Sequence, residues 1–175
     1  YRFTFQLRWE STLIGYMEGT LLKTGEDRIL LLANQIGYEV LLPAFALHQL
    51  ENKNTGEQIH LYIFYHQTER QPRPVLIGFN TEEEKEFFQL FISVEDIGPL
   101  KAVKALEIPM HEIAAAIESK NVAALRRMKG IGQRTAQKII ATLAGKLDRF
   151  LTGEAPQGPL PESEEFVQAV MNVLV

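Results

Sequence analysis

Short apolar runs alternate with turn residues through the first half of the chain. The runs are rich in Ile, Leu, Val and Tyr, and clusters of turn residues such as 24–27 (Thr, Gly, Glu, Asp) separate them. This pattern is typical of the strands of a small barrel or sandwich. Strands are predicted over residues 13–22, 29–33, 38–42, 59–66 and 75–79. Five strands are about the number in a barrel of the OB type, so we expect such a barrel over residues 13–79.

The apolar spacing changes to that of helices near residue 80. Thr81 and Glu84 fit a capping box, in which each side chain hydrogen-bonds the backbone of the other residue. Phe87, Phe88 and Phe91 then recur at helical spacing and are expected in the core. Further helices are predicted over residues 101–106, 110–119, 122–128 and 133–150. The chain is therefore expected to be a multidomain α+β protein, with an all-α domain over residues 80–150 after the barrel.

The two ends of the chain differ from both halves. Residues 1–12 alternate apolar and polar positions and are interpreted as an N-terminal extension or a remnant of cloning, either an added strand or a leader. Residues 151–162 are rich in Gly and Pro, which indicates a linker. A last helix is predicted over residues 163–175, with Ser163 as its N-cap. This helix would be the first of a partial C-terminal domain.

The segment most typical of a binding function is Gly130-Ile131-Gly132, which joins two predicted helices. Glycine permits backbone conformations that other residues avoid and presents no side chain to an approaching molecule. The N–H groups of the turn and of the following helix start would point outward together, where a phosphate fits. The side chains placed to assist are Lys129, Arg134, Thr135 and Lys138.

An earlier segment is a degenerate copy of this turn. Ile97-Gly98 keeps the apolar-glycine pair, and Pro99 stands where a helix would start. Asp96 occupies the position of the first glycine, where a carboxylate would repel a phosphate. Two interpretations stay open: this copy binds phosphate, or it only turns the chain between helices.

Net charge sharpens the prediction once it is resolved along the chain. The sequence has 18 basic and 22 acidic residues, a balance of −4 that by itself argues against a nucleic-acid partner. Residues 119–150, however, contain eight basic residues and one acidic residue, whereas residues 1–118 and 151–175 are both acidic. Basic charge is thus concentrated around the second glycine turn. This distribution favours DNA binding through the sugar-phosphate backbone.

Composition and motifs exclude several other classes. The chain has no cysteine, which excludes a disulfide scaffold and a thiolate metal site. Its histidines lack metal-ligand spacing, and neither a nucleotide-binding P-loop nor a serine-hydrolase elbow occurs. Apolar runs are far too short for a membrane span, and residues 1–12 lack the apolar core of a signal peptide. We therefore expect a cytoplasmic protein without catalytic residues, a metal or a cofactor of its own.

The ordered set of motifs resembles the RuvA family, whose members bind Holliday junctions in the bacterial branch-migration complex. The resemblance extends over residues 13–150. It rests on Ile14-Gly15 with Gly19-Thr20-Leu21, Gly37-Tyr38-Glu39-Val40, Gly78-Phe79-Asn80, Ile97-Gly98-Pro99, and Gly130-Ile131-Gly132 with Thr135-Ala136. The glycine turn alone occurs in many DNA-binding proteins, but the ordered set at these spacings is much more specific.

The resemblance implies an OB barrel, a domain with two helix-hairpin-helix motifs, and a linker to a small helical domain. It also implies a homotetramer that binds the four arms of a four-way DNA junction. A partner ATPase of the RuvB type would use ATP and magnesium to drive branch migration in recombination and repair. The phosphate contacts that the resemblance implies are the backbone of Gly98, Gly130, Gly132 and Gln133, assisted by Lys101, Arg134 and Thr135.

Three departures from the family pattern bear on function. The family has a short hairpin with adjacent acidic residues at the tetramer centre, which helps to separate DNA strands. The matching segment here, residues 66–74, is longer and carries one acid against two bases: Glu69, Arg70 and Arg73. Asp96 weakens the first glycine turn. The sequence also ends after the first of the three helices in the family's C-terminal domain, which puts docking of the ATPase in question.

These departures leave two further hypotheses open. In one, the chain is an assembly or scaffold module that keeps the fold but no longer processes junctions. In the other, it is the DNA-anchoring domain of a nuclease or ligase that lost its catalytic part, although the continuous resemblance argues against this.

Overall fold

A computed structural model describes residues 13–152, which form a five-stranded barrel followed by a helical domain. The strands are β1 (Tyr16–Thr24), β2 (Arg28–Ala33), β3 (Ile36–Leu41), β4 (Gln58–His66) and β5 (Val75–Phe79). The helices are α1 (Ala44–His48), α2 (Glu82–Ile92), α3 (Pro99–Ala105), α4 (Met110–Glu118), α5 (Val122–Leu125) and α6 (Gln133–Leu143), and a 3-10 turn spans Asp148–Phe150. The predicted fold class is confirmed. Residues 1–12, the linker over 151–162 beyond its first two residues, and the helix over 163–175 lie outside the described residues.

The barrel closes in the strand order β1-β2-β3-β5-β4. Neighbouring strands are antiparallel except β3 and β5, which pair in parallel through Val40↔Leu76 and Leu41↔Ile77. The barrel closes between β1 and β4, where Gly19 pairs with Ile59. A Cβ atom on Gly19 would lie 2.2 Å from the carbonyl oxygen of Leu32 on β2, so only glycine fits at this position of β1.

Alternate side chains of β1, β2 and β4 fill the barrel, as the period of a strand requires, and β3 and β5 add further buried side chains. Leu21, Leu31, Val40, Leu61, Ile63 and Ile77 are all fully buried. The sequence pattern did not predict α1, which connects β3 to β4. Phe45 and Ala46 of this helix are buried, so the short helix adds apolar side chains to the same core.

Helix α2 links the barrel to the helical domain. The predicted capping box is confirmed: Glu84 N–H donates to Thr81 Oγ1, and Glu84 Oε2 accepts from Thr81 N–H. The predicted aromatic core is also confirmed, because Phe87, Phe88 and Phe91 are fully buried. Phe88 contacts the barrel, with its ring centroid 4.9 Å from that of Phe79, and Phe87 contacts Phe150 of the helical domain at 5.4 Å.

The predicted helix over 133–150 is wrong in its second half. Helix α6 ends at Leu143, Ala144 is extended (ψ 134°), and Gly145 has a positive φ of 82°. The carboxylate of Glu118 on α4 accepts hydrogen bonds from the N–H groups of Gly145 (2.8 Å) and Leu147 (3.0 Å). The chain then turns back, and a 3-10 turn buries Phe150. Helix α5 is likewise shorter than predicted and ends at Leu125, three residues before Met128.

No helix within residues 13–152 combines the length and apolar character needed to cross a membrane.

Candidate nucleic-acid interface

The second glycine turn joins α5 to α6 and has the backbone geometry that its sequence predicts. Gly130 has a φ of 76°, a left-handed conformation that favours glycine. Ile131 is buried, and its N–H donates to the carbonyl of Met128 at 3.1 Å. Gly132 is extended and serves as the N-cap of α6. The buried isoleucine anchors the turn, while both glycines stay exposed.

The start of α6 presents unpaired backbone donors to solvent. The first intrahelical bond of the i to i−4 type runs from Ala136 N–H to Gly132 carbonyl, 2.9 Å long. The N–H groups of the residues between them therefore have no partner within the helix. Gln133 and Arg134 are exposed and Thr135 is half-buried, so this end of the helix is open to a ligand. Outward N–H groups and the positive end of the helix dipole suit an anion.

The first turn, between α2 and α3, has the same geometry despite its aspartate. Asp96 has a φ of 69°, close to the 76° of Gly130. Ile97 is buried like Ile131, and its N–H donates to Val94 at 3.1 Å. Ala102 N–H donates to Gly98, which is again the N-cap of the next helix. Val94, Asp96, Ile97, Gly98 and Ala102 thus correspond in order to Met128, Gly130, Ile131, Gly132 and Ala136.

Acidic side chains of the first turn bind a lysine of the second hairpin. The Nζ atom of Lys138 on α6 lies 2.9 Å from a carboxylate oxygen of Glu95 and 2.5 Å from one of Asp96. The hydrogen bond from Lys138 lowers the pKa of Asp96, and the same bond raises the pKa of Lys138. Lys138 was predicted to contact phosphate. That role stays a prediction, and its ammonium group is already neutralised by two carboxylates.

A groove of about 260 Å³ lies between the two hairpins. Its lining residues are Leu100, Lys101, Lys104, Lys129 and Gly130. Lys101 was predicted from the family resemblance and Lys129 from its position beside the glycine turn. Lys101 Nζ donates to the carbonyl oxygen of Asp96 at 3.3 Å. Lys104 was missed by sequence reasoning. Its signal was available, because Lys104 occupies in the first copy the position that Lys138 occupies in the second.

The residues predicted at the junction centre lie outside the two hairpins, on the loop between β4 and β5 of the barrel. Thr68 and Gln71 exchange backbone hydrogen bonds of 3.1 and 3.0 Å, which places Glu69 and Arg70 at an exposed tip. Gln67 supports the loop: it accepts from the Tyr65 hydroxyl at 2.7 Å and donates to Pro72 O at 2.9 Å. Within residues 13–152, the side chains of Glu69, Arg70 and Arg73 form no ion pair. Glu69 and Arg70 at the tip thus carry one negative and one positive charge, and Arg73 adds a second positive charge to the same loop.

The described part of the chain holds no cluster of three or more side chains suited to a metal ion.

Comparison with known families divides the chain in the same way as the structure. A family model described as the RuvA N terminal domain matches residues 14–73, within the barrel and its β4–β5 loop. A model described as a SAM-like helix-hairpin-helix tandem matches residues 88–144 and so includes both glycine turns.

Individual relatives agree over most of the chain. Two proteins named Holliday junction branch migration complex subunit RuvA, from Desulfosudis oleivorans and Desulfatibacillum aliphaticivorans, are each 56% identical over 93% of this chain and 80% of their own length. A protein of the same name from Geobacter sulfurreducens is 32% identical over 92% of this chain and 82% of its own length. With barrel, paired hairpins and sequence in agreement, the chain belongs to the RuvA family.

Proposed function

We propose that the chain is a non-catalytic subunit that binds four-way DNA junctions through their backbone phosphates. The observation that carries this proposal is the second hairpin, where exposed N–H groups at the start of α6 lie beside Lys129 and Arg134. Its relatives are named as subunits of a Holliday junction branch migration complex, which supports a junction as the substrate. Backbone amides and cations recognise phosphates of any sequence, so specificity would come from the shape of the junction.

Assembly into a tetramer would let the protein recognise the shape of the junction. A closed ring of four copies repeats one set of contacts on each of four arms, which suits a four-way junction. In this proposal the subunit is cytoplasmic and holds no cofactor. A RuvB-like ATPase partner, bound to the assembly, would use ATP and magnesium to drive branch migration in recombination and repair.

Charge reversal in the second hairpin tests the proposal. Arg134→Glu combined with Lys129→Glu should abolish four-way junction binding in a gel-shift assay, since each substitution replaces attraction to phosphate with repulsion. Wild-type binding should weaken steeply with salt, because phosphate contacts release counterions. Lys23→Glu is a control for charge reversal away from the hairpin: Lys23 is an exposed barrel residue, and this variant should bind as wild type. Equal affinity of the double variant and the control would contradict the assignment of the hairpin.

A scaffold module of the same fold is a second candidate. The acidic first turn favours this candidate. Its Glu95 and Asp96 would repel a phosphate, and they already pair with Lys138 of the second hairpin. A scaffold would bind a four-way junction no better than linear duplex of equal length. Tighter binding to the junction in the same assay would reject this candidate.

A further inference from the structure

The two hairpins are near copies whose electrostatics differ at one corresponding pair of lysines. Lys104 on α3 takes the position in the first copy that Lys138 takes on α6 in the second. Their turns share the left-handed residue, the buried isoleucine and the extended glycine. The surroundings of one lysine can therefore be compared directly with those of the other.

Lys138 meets two carboxylates, and Lys104 meets none in the corresponding place. The partners of Lys138 are Glu95 and Asp96 of the first turn. The residues that correspond to these two in the second turn are Lys129 and Gly130, and both line the groove with Lys104. The first turn thus offers two carboxylates to Lys138 of the second hairpin. The second turn offers Lys104 of the first hairpin only a lysine and a glycine, which has no side chain.

The groove therefore carries positive charge that the protein does not neutralise. Among residues 13–152, neither Lys104 nor Lys129 forms a hydrogen bond or an ion pair, and both are exposed. The barrel residue Asp27 is close enough for Lys104 to help lower its pKa, but the main cause of that lowering is the hydrogen bond from Arg28. Asp27 is already paired with Arg28 at 2.8 Å. Lysines that share a groove repel one another unless an anion joins them.

We propose that a DNA backbone phosphate occupies this groove in place of the missing carboxylates, held by Lys104 and Lys129 with Lys101 beside them. This inference rests on the proposed function and makes it more specific. It adds Lys104 to the contacts expected from the sequence. It also assigns Lys138 mainly to joining the two hairpins, because its ammonium group is already paired with Glu95 and Asp96.

Neutralising Lys104 tests the groove. Lys104→Gln should weaken binding to a four-way junction about tenfold for each subunit engaged, as expected for loss of one charged hydrogen bond per subunit. It should also reduce the slope of log K against log salt by about 0.9 for each subunit engaged. Lys104→Arg should retain both affinity and slope. Lys23→Gln, with the same charge change on the exposed barrel surface, is the matched control, and circular dichroism checks that each variant is folded.

A reciprocal exchange tests the comparison between the hairpins. Lys129→Glu with Gly130→Asp gives Lys104 the carboxylates that Lys138 has, and should abolish junction binding while the fold survives, because Asp96 already adopts the same backbone conformation. Glu95→Lys with Asp96→Gly should free Lys138 and give tighter binding with a steeper salt dependence.

The outcomes separate this inference from the proposed function. Should Lys104→Gln bind like the Lys23→Gln control while charge reversal at Lys129 and Arg134 still abolishes binding, the groove assignment is overturned and the junction-binding function stands. Should the wild-type protein itself fail to prefer a junction, the proposed function is overturned with it.

Discussion

At the scale of single residues, Glu84 is the one buried charged residue among residues 13–152. Its carboxylate accepts three hydrogen bonds: from Gln49 Nε2 at 2.7 Å after α1, and from the N–H groups of Asn80 (2.9 Å) and Thr81 (3.3 Å) before α2. Burial raises the pKa of Glu84, and these hydrogen bonds offset only part of that effect. The residue therefore ties α1 to α2 at the cost of desolvating a charge.

The raised pKa of Glu84 predicts how stability changes with pH. As pH falls through that pKa towards the ordinary value of 4.5, the folded protein takes up a proton before the unfolded chain does. Glu84 therefore stabilises the fold more at low pH and less as pH rises. Urea titrations between pH 4 and 8 give the free energy of unfolding of the wild type and of Glu84→Gln. The wild-type value minus the Glu84→Gln value should increase as pH falls. A constant difference would contradict the raised pKa.

At the scale of elements, the sequence pattern located most helices and strands correctly but misplaced the ends of some helices. The capping box and aromatic stripe located α2 because both signals lie within the helix itself. The helix predicted over 133–150 continued past Leu143 because Leu147 and Phe150 keep an apolar spacing. Glu118 stabilises the turn that follows α6, but it lies on α4, so the sequence around residue 143 gives no sign of it. Helix α1 was missed because five residues are too short to show a period.

The role of Glu118 in ending α6 can be measured. Glu118→Ala should leave the N–H groups of Gly145 and Leu147 without their acceptor and lower the free energy of unfolding by about 1–2 kcal/mol, since Leu147 is buried. Glu118→Gln keeps one acceptor oxygen and should lose about half as much. Glu107→Ala, at an exposed loop position, is the control. Equal stability of Glu118→Ala and this control, measured by urea unfolding, would show that the bonds to Glu118 do not hold this segment.

The candidate site shows the same division between local and distant information. Gly130, Ile131 and Gly132 act through their own backbone and packing, so the sequence alone located that turn. The pairing of Lys138 with Glu95 and Asp96 joins residues far apart in sequence, and only the fold brings them together. The contribution of Lys104 could have been inferred by aligning the two copies of the hairpin.

At the scale of the whole molecule, the net charge of −4 conceals a segregated distribution. The helical domain contains the basic residues around α6, whereas the loop between β4 and β5 carries Glu69 against Arg70 and Arg73. In the proposed tetramer, four copies of this loop would meet at the centre of the junction. A loop with two bases and one acid repels phosphate less than a loop with two adjacent acids, so it should separate strands weakly.

A change of charge at this tip tests that expectation. Arg70→Asp creates adjacent acids beside Glu69 and should increase strand separation at the crossover, because four acidic tips repel the central phosphates. A four-way junction with 2-aminopurine beside the crossover reports this as a rise in fluorescence when the base unstacks. Lys23→Asp makes the same charge change on an exposed strand of the barrel and should leave the signal as in wild type. Light scattering with and without the junction must first give a tetramer for all three proteins, since a persistent monomer would remove the shared centre. With the tetramer present, equal fluorescence of Arg70→Asp and wild type would show that tip charge does not control strand separation in this protein.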